Sequence, residues 1–161
     1  MRTHIAEAKA AGLTGFLVSW KHTDFLDTRL DQLVRIAREQ DFSLGIVYQG
    51  LDFHRRPLPA YQIAADLQLF VTRYGHDPVF GFFNDPVVII TGTEQFSVED
   101  LDEITGPVRD ELHVLASAKN TIEYERTASW VDGNAYYWSS GDPVHPSFPV
   151  SYTHLTLPTK A

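Results

Sequence analysis

The sequence contains no cysteine among its 161 residues. Disulfide bonds, thiolate metal sites and a cysteine nucleophile are therefore excluded, while either redox compartment is compatible with the composition. Positive charge is also scarce, because 13 basic residues stand against 21 acidic ones and leave a formal net charge of −8. No basic cluster extends beyond Arg55-Arg56. We therefore expect neither nucleic acid nor an anionic membrane surface as a partner.

Long apolar runs and several catalytic motifs are absent as well. No run approaches the roughly 20 residues of a membrane-spanning helix, and the polar start after Met1 does not resemble a signal peptide, so the localisation is left open. The seven histidines form no HxH or HxxxH pair, and we expect no metal site. Ser19 and Ser139 lie in no G-x-S-x-G elbow. Without a dinucleotide fingerprint or P-loop, no cofactor is expected.

Apolar segments of strand length alternate with amphipathic helical segments. The run VVII at 87–90 is continuously apolar, which indicates burial on both faces, as in a parallel sheet covered by helices. We predict strands at about 15–19, 43–48, 87–91, 112–116 and 131–138, and helices around 3–11, 24–40, 63–74, 97–106 and 120–129. A turn at 84–86 predicts a short hairpin between 79–83 and 87–91. The predicted class is α/β.

Helix ends are marked by residues with known capping preferences. Gly12 is placed to end the first helix in a left-handed conformation, and Asp24 or Asp27 is placed to begin the second. Ser97 begins a capping box, and Asn120 is expected to cap the last helix.

Two architectures fit this βα rhythm. One is an open doubly wound sheet, and the other is part of a (β/α)₈ barrel, which takes about 250 residues when complete. The tail at 150–161 changes style abruptly and resembles a translated sequencing-library adapter, so we expect it to be non-native. The alternative is an ordinary polar tail. If the adapter interpretation holds, residues 1–149 form an incomplete domain that is truncated at both ends.

Aromatic and polar side chains follow three predicted strands where each strand ends. Carboxyl ends of parallel strands meet at one edge of a sheet, where α/β proteins build their sites. Aromatic rings stack on the apolar faces of sugars, while amides and carboxylates bond the hydroxyls. The candidate sugar-binding residues are Trp20, Lys21, Tyr48, Gln49, Asp52, Tyr136, Trp138 and Ser139. The alternative is that the aromatic residues only plug the end of the sheet.

The acidic residues near strand ends identify no catalytic pair. Glycoside cleavage requires two carboxyl groups about 5 to 9.5 Å apart. Asp24 is interpreted as a helix cap, Glu94 as a solvated loop residue and Asp142 as a turn former. Asp52 is the acid expected to contact a ligand, because it follows a strand end directly.

Five phrases, in this order, resemble glycoside hydrolases of families 71 and 99. They are IAEAKAAGLTGFLVSW, GIVYQGLDF, DLQLFVTRYGHDPVF, NDPVVIITG and VDGNAYYW, and the resemblance covers about residues 4–149. It implies a (β/α)₈ fold of which this chain holds about five parallel strands. It also implies a secreted or cell-surface parent enzyme that acts on an oligosaccharide or polysaccharide, as endo-α-1,3-glucanases and endo-α-mannosidases do.

The chain departs from that family at two points. Relatives carry two catalytic glutamates in a late W-N-E-x-x-E type segment, which is absent here, so the catalytic residues are expected beyond Pro149. Many relatives place a glutamate where this chain has Gln49. We therefore expect a fragment that carries part of the sugar cleft and is inactive alone. The alternatives are a non-catalytic glycan-binding relative and an unrelated open α/β domain.

Overall fold

In a computed structural model, the chain forms a five-stranded, all-parallel sheet with helices packed against it. The structure describes residues 1–81 and 84–135. The strands are β1 (Gly15–Trp20), β2 (Ser43–Tyr48), β3 (Val87–Ile90), β4 (His113–Ala116) and β5 (Gly133–Asn134). The helices are α1 (Arg2–Ala10), α2 (Asp24–Glu39), α3 (Ala60–Tyr74), α4 (Val98–Thr105) and α5 (Thr121–Thr127). The predicted α/β class and parallel sheet are confirmed.

The strands lie in the sheet in the order in which they occur along the chain. Each pairs with its predecessor in parallel, and Trp20 aligns with Tyr48, which aligns with Ile90. The carboxyl ends of the first three strands therefore lie at one level. Among the described strands there is no reversal of order, which is the feature that creates the binding crevice of a doubly wound sheet.

The two faces of the sheet are covered differently. Buried apolar residues of α1 to α4 form one cluster with strand residues such as Ile46 and Val88. A second cluster holds Val87, Ile89 and Leu115, and none of its described members belongs to a helix. Because side chains alternate along a strand, these residues lie on the face opposite the helices, which we call the inner face. Leu17, on the same face of β1, is 61% exposed.

Most of the predicted helix ends are confirmed. Gly12 has a φ of +84° after α1, Ser97 and Asp100 form the capping box of α4, and Asn120 caps α5. The cap of α2 is different, because Thr23 Oγ1 accepts the backbone N–H of Leu26. Asp24 and Asp27 are therefore not the capping residues. Within the described residues, no helix combines the length and hydropathy needed to cross a bilayer.

The predicted hairpin before β3 is wrong over its described part. Pro78–Phe80 is a turn of 3₁₀ helix instead of a strand, and Asp77 starts it by accepting the backbone N–H of Val79. Proline has no N–H to lose at the first helical position, which favours this turn. Phe80 is buried against Phe70, with ring centroids 5.1 Å apart. Residues 82–83 lie outside the described residues, as do positions 136–138 of the predicted fifth strand.

Candidate functional site

Polar side chains follow the strands at the carboxyl edge of the sheet. Gln49, just past β2, donates its Nε2–H to Ser19 Oγ at 3.3 Å. Thr91, just past β3, accepts the backbone N–H of Gly50 and donates to the carbonyl of Tyr48, both at 3.1 Å. Ser19 and Gln49 belong to the inner face, because they alternate with residues that face the helices. They bring a hydroxyl and an amide group to the carboxyl edge of the inner face, which is the face opposite helices α1 to α4.

Trp20 and Tyr48 face the helices instead of the inner face. Trp20 is 2% exposed and Tyr48 is 0% exposed. Their rings meet edge to face at 6.1 Å, and Trp20 also packs against Phe70 at 5.7 Å. The expectation that Trp20 and Tyr48 contact a sugar is thus corrected, because enclosed rings offer no face to a ligand. Both rings belong to the core instead.

A buried carboxylate holds the hydroxyl group of Tyr48. Asp66, on α3, accepts the Tyr48 hydroxyl at 2.7 Å and the backbone N–H of His22 at 3.1 Å. Burial raises the pKa of Tyr48, and its hydrogen bond to Asp66 raises it further. Tyr48 therefore remains a hydrogen-bond donor at neutral pH. The contact ties the end of β2 and the loop after β1 to α3.

A second buried carboxylate, Asp27 of α2, holds the same loop from the other side. It accepts the Trp20 Nε1–H at 3.0 Å, lies 2.7 Å from His22 Nδ1 and pairs with Arg73 at 3.1 Å. Arg73 also binds Asp31 at 2.8 Å. We refer to Asp27, Asp31, Asp66 and their partners as the aspartate network. It joins β1, β2, α2 and α3.

Lys21 and Asp52 occupy different environments. Lys21 is half-buried directly after β1, and no ion pair joins it to an acid in the described part of the chain. Asp52 accepts the backbone N–H and the Nε–H of Arg56, each at 2.8 Å. Leu51 and Pro57 form a bridge across the same loop. Asp52 thus organises its own loop, which differs from the ligand contact expected of it.

The contacts with Arg56 predict the titration of Asp52. The backbone N–H of Arg56 and then its guanidinium hold the pKa of Asp52 below its usual value. The contact therefore stabilises the fold above the unfolded pKa of about 3.9, and this contribution is lost as the pH falls through the lower folded pKa. Carboxyl ¹³C NMR titration should place Asp52 below that value, and Arg56→Gln should raise it partway, because the backbone N–H remains. Arg35→Gln, at an exposed position on α2, should leave the Asp52 pKa unchanged; an unchanged Asp52 pKa in Arg56→Gln contradicts the assignment.

An ion pair that sequence reasoning missed joins the loops after β3 and β4. Glu94 Oε1 lies 2.9 Å from Lys119 Nζ, and the Glu94 side chain is 14% exposed instead of solvated. Its hydrogen bond raises the pKa of Lys119. Glu94 Oε2 is buried and makes no hydrogen bond with the described residues. Arg126 fixes this turn by donating to three carbonyl oxygens of residues 93–96.

The positions of Glu94 and Lys119 in the sequence could have predicted this ion pair. Glu94 and Lys119 follow consecutive strands at similar distances, so parallel pairing brings both to the same edge. Asn134 extends that edge at β5, where its side chain both accepts from the backbone of Ala118 and donates to it. Tyr136, Trp138 and Ser139 lie outside the described residues.

A groove of about 250 Å³ lies at the opposite, amino end of the sheet. It is lined by residues that precede or begin β4 and β5, including Arg109, Val114 and Trp130. In parallel α/β architectures this end serves stability and the carboxyl end carries the site. In residues 1–81 and 84–135, no three metal-ligating side chains gather into a possible cation site.

No family model matches the chain, and no curated protein is significantly similar to it in sequence. The carboxyl edge brings together Ser19 and Gln49, and it also holds the Glu94–Lys119 pair.

Proposed function

We propose that this chain is part of a carbohydrate-active (β/α)₈ barrel and forms one side of its sugar-binding cleft. The observation that carries the proposal is the sheet, whose five parallel strands follow chain order, with helices α1 to α4 packed on one face. A (β/α)₈ barrel has this strand order and this one-sided helix layer, and its sites lie at the carboxyl edge. An open doubly wound sheet reverses its order at the binding crevice instead.

The side chains at that edge suit a neutral sugar. Ser19 and Gln49 present a hydroxyl and an amide on the inner face, and Lys21 adds a cation directly after β1. The hydroxyl and the amide are uncharged and both donate and accept hydrogen bonds, which matches a ring of hydroxyl groups. The net charge of −8 disfavours an anionic polymer.

The proposal assigns no catalytic role to the residues of this edge. Gln49 is an amide and transfers no proton as an acid or base. By its family resemblance, the parent is a retaining endo-acting α-glycoside hydrolase whose two glutamates lie beyond Pro149. The second candidate is a non-catalytic glycan-binding relative, which the amide at Gln49 favours. A complete gene without the late glutamate pair would support that candidate.

Sugar binding by the 161-residue chain tests the proposal. We expect an α-1,3-gluco-oligosaccharide or an α-manno-oligosaccharide to shift the amide NMR signals of the carboxyl edge. Gln49→Ala should weaken binding about two- to tenfold, which corresponds to one neutral hydrogen bond. Gln68→Ala, at an exposed position of α3, is the matched control and should bind normally. Failure of both oligosaccharides to shift any signal would contradict the proposal, as would equal losses in the two variants.

A further inference from the structure

His22 is held at two points by buried carboxylates. Its backbone N–H donates to Asp66 at 3.1 Å, and its ring Nδ1 lies 2.7 Å from Asp27. Asp27 and Asp66 are 7% and 5% exposed, and each also binds an aromatic side chain of the core. A ring that is fixed through both its backbone and its Nδ1 has a defined orientation, as a histidine needs when it serves a site.

The contact with Asp27 determines what the other ring nitrogen can do. An ionised carboxylate only accepts hydrogen bonds, so Nδ1 carries the hydrogen. In the neutral ring, Nε2 then presents a lone pair. The His22 side chain is 44% exposed, and no group in the described part of the chain forms a hydrogen bond with Nε2. His22 lies two residues after β1, at the same edge as Gln49.

We propose that His22 is a sugar-contacting residue whose Nε2 accepts a hydrogen bond from a hydroxyl group of the oligosaccharide. This inference rests on the proposed function and adds a residue to its site. Asp27 and Asp66 are positioning residues, because they hold His22 without reaching the ligand themselves. The surrounding carboxylates disfavour an anion, and the described residues supply no set of three ligands for a metal ion. A hydroxyl group of the neutral sugar proposed above is a donor that fits this acceptor.

Long-range ¹H–¹⁵N NMR of the histidine rings in the full chain tests this assignment. We expect His22 in the Nδ1–H tautomer, with an Nε2 signal that moves when the α-1,3-gluco-oligosaccharide is added. His22→Ala should weaken binding about two- to tenfold, as expected for one hydrogen bond, while its amide spectrum shows a retained fold. His76→Ala is the matched control, because His76 is exposed just after α3, near the amino edge, and should bind normally.

The outcomes separate this inference from the proposed function. If the sugar shifts the amides of Lys21 and Gln49 while the His22 ring stays unchanged and His22→Ala binds normally, the inference is overturned and the sugar site stands. An Nε2–H tautomer for His22 overturns it as well. If neither oligosaccharide shifts any signal, the proposed function and this inference both fail.

Discussion

Asp27→Ala is expected to lower the free energy of unfolding by about 3 kcal/mol, at the lower end of the loss that follows removal of one partner from a buried ion pair. The substitution leaves the Trp20 indole N–H buried without its acceptor, which alone costs about 1–3 kcal/mol. Arg73 is one-third exposed, so its guanidinium regains hydrogen bonds with water, which keeps the expected loss at that lower end. Urea denaturation followed by tryptophan fluorescence measures the difference.

Asp24→Ala provides the matched control on the same helix. Asp24 is exposed in the first turn of α2, where its charge contributes through the helix dipole by about 0.3–1 kcal/mol. Its removal should therefore cost much less than the removal of Asp27. If the two variants unfold at the same urea concentration, the aspartate network does not have the stabilising role assigned to it.

Gly50→Ala is expected to lower the free energy of unfolding by about 1–3 kcal/mol, the usual range for overpacking. A Cβ atom at Gly50 would lie 2.4 Å from the backbone carbonyl oxygen of Thr91 and 3.4 Å from the Phe96 ring. A backbone oxygen cannot rotate aside as a flexible side chain can, so the carboxyl ends of β2 and β3 must separate. Urea denaturation measures the loss, and amide NMR shifts should place the disturbance at Gln49 and Thr91.

Gly81→Ala is the control for this substitution. Gly81 has a negative φ of −79°, and beyond its chain neighbours an added Cβ would meet only the carbonyl oxygen of Pro78, at 3.5 Å, which is an ordinary van der Waals distance. Alanine at Gly81 should restrict the unfolded chain without a clash and should leave the free energy of unfolding unchanged or raise it by up to about 1 kcal/mol. Equal stability of the two variants would mean that the carboxyl ends of β2 and β3 separate without strain.

The sequence predicted the sheet because the strand signals are local. The run at 43–48 has the same bounds as β2, and VVII forms β3 because β-branched residues buried on both faces favour a parallel strand. The strand predicted at 79–83 was wrong over its described part, because the same apolar residues are also compatible with a 3₁₀ turn. Packing of Phe80 against the α3 residue Phe70 decides between the two, and that contact is not a local property.

The site was predicted only in part, because the pattern of a strand does not state which face the helices cover. Trp20 and Ser19 lie on opposite faces in any strand, and both are placed at the carboxyl edge. The helices cover the face of β1 that carries Trp20, so Trp20 lies in the core. Ser19 lies on the inner face. The Glu94–Lys119 pair depends on the turn that begins at Gly92, whose φ is +77° and whose backbone N–H binds Ser117 just past β4.

The order of the strands also affects how the chain folds. Each of the five described strands after the first pairs with the strand synthesised just before it, so these pairings do not wait for a distant segment. Loops that close over short separations cost less entropy, and such topologies fold faster than those that need distant pairings. The sheet can therefore grow strand by strand from the amino terminus during synthesis, with each new βα unit adding to a surface that has already formed.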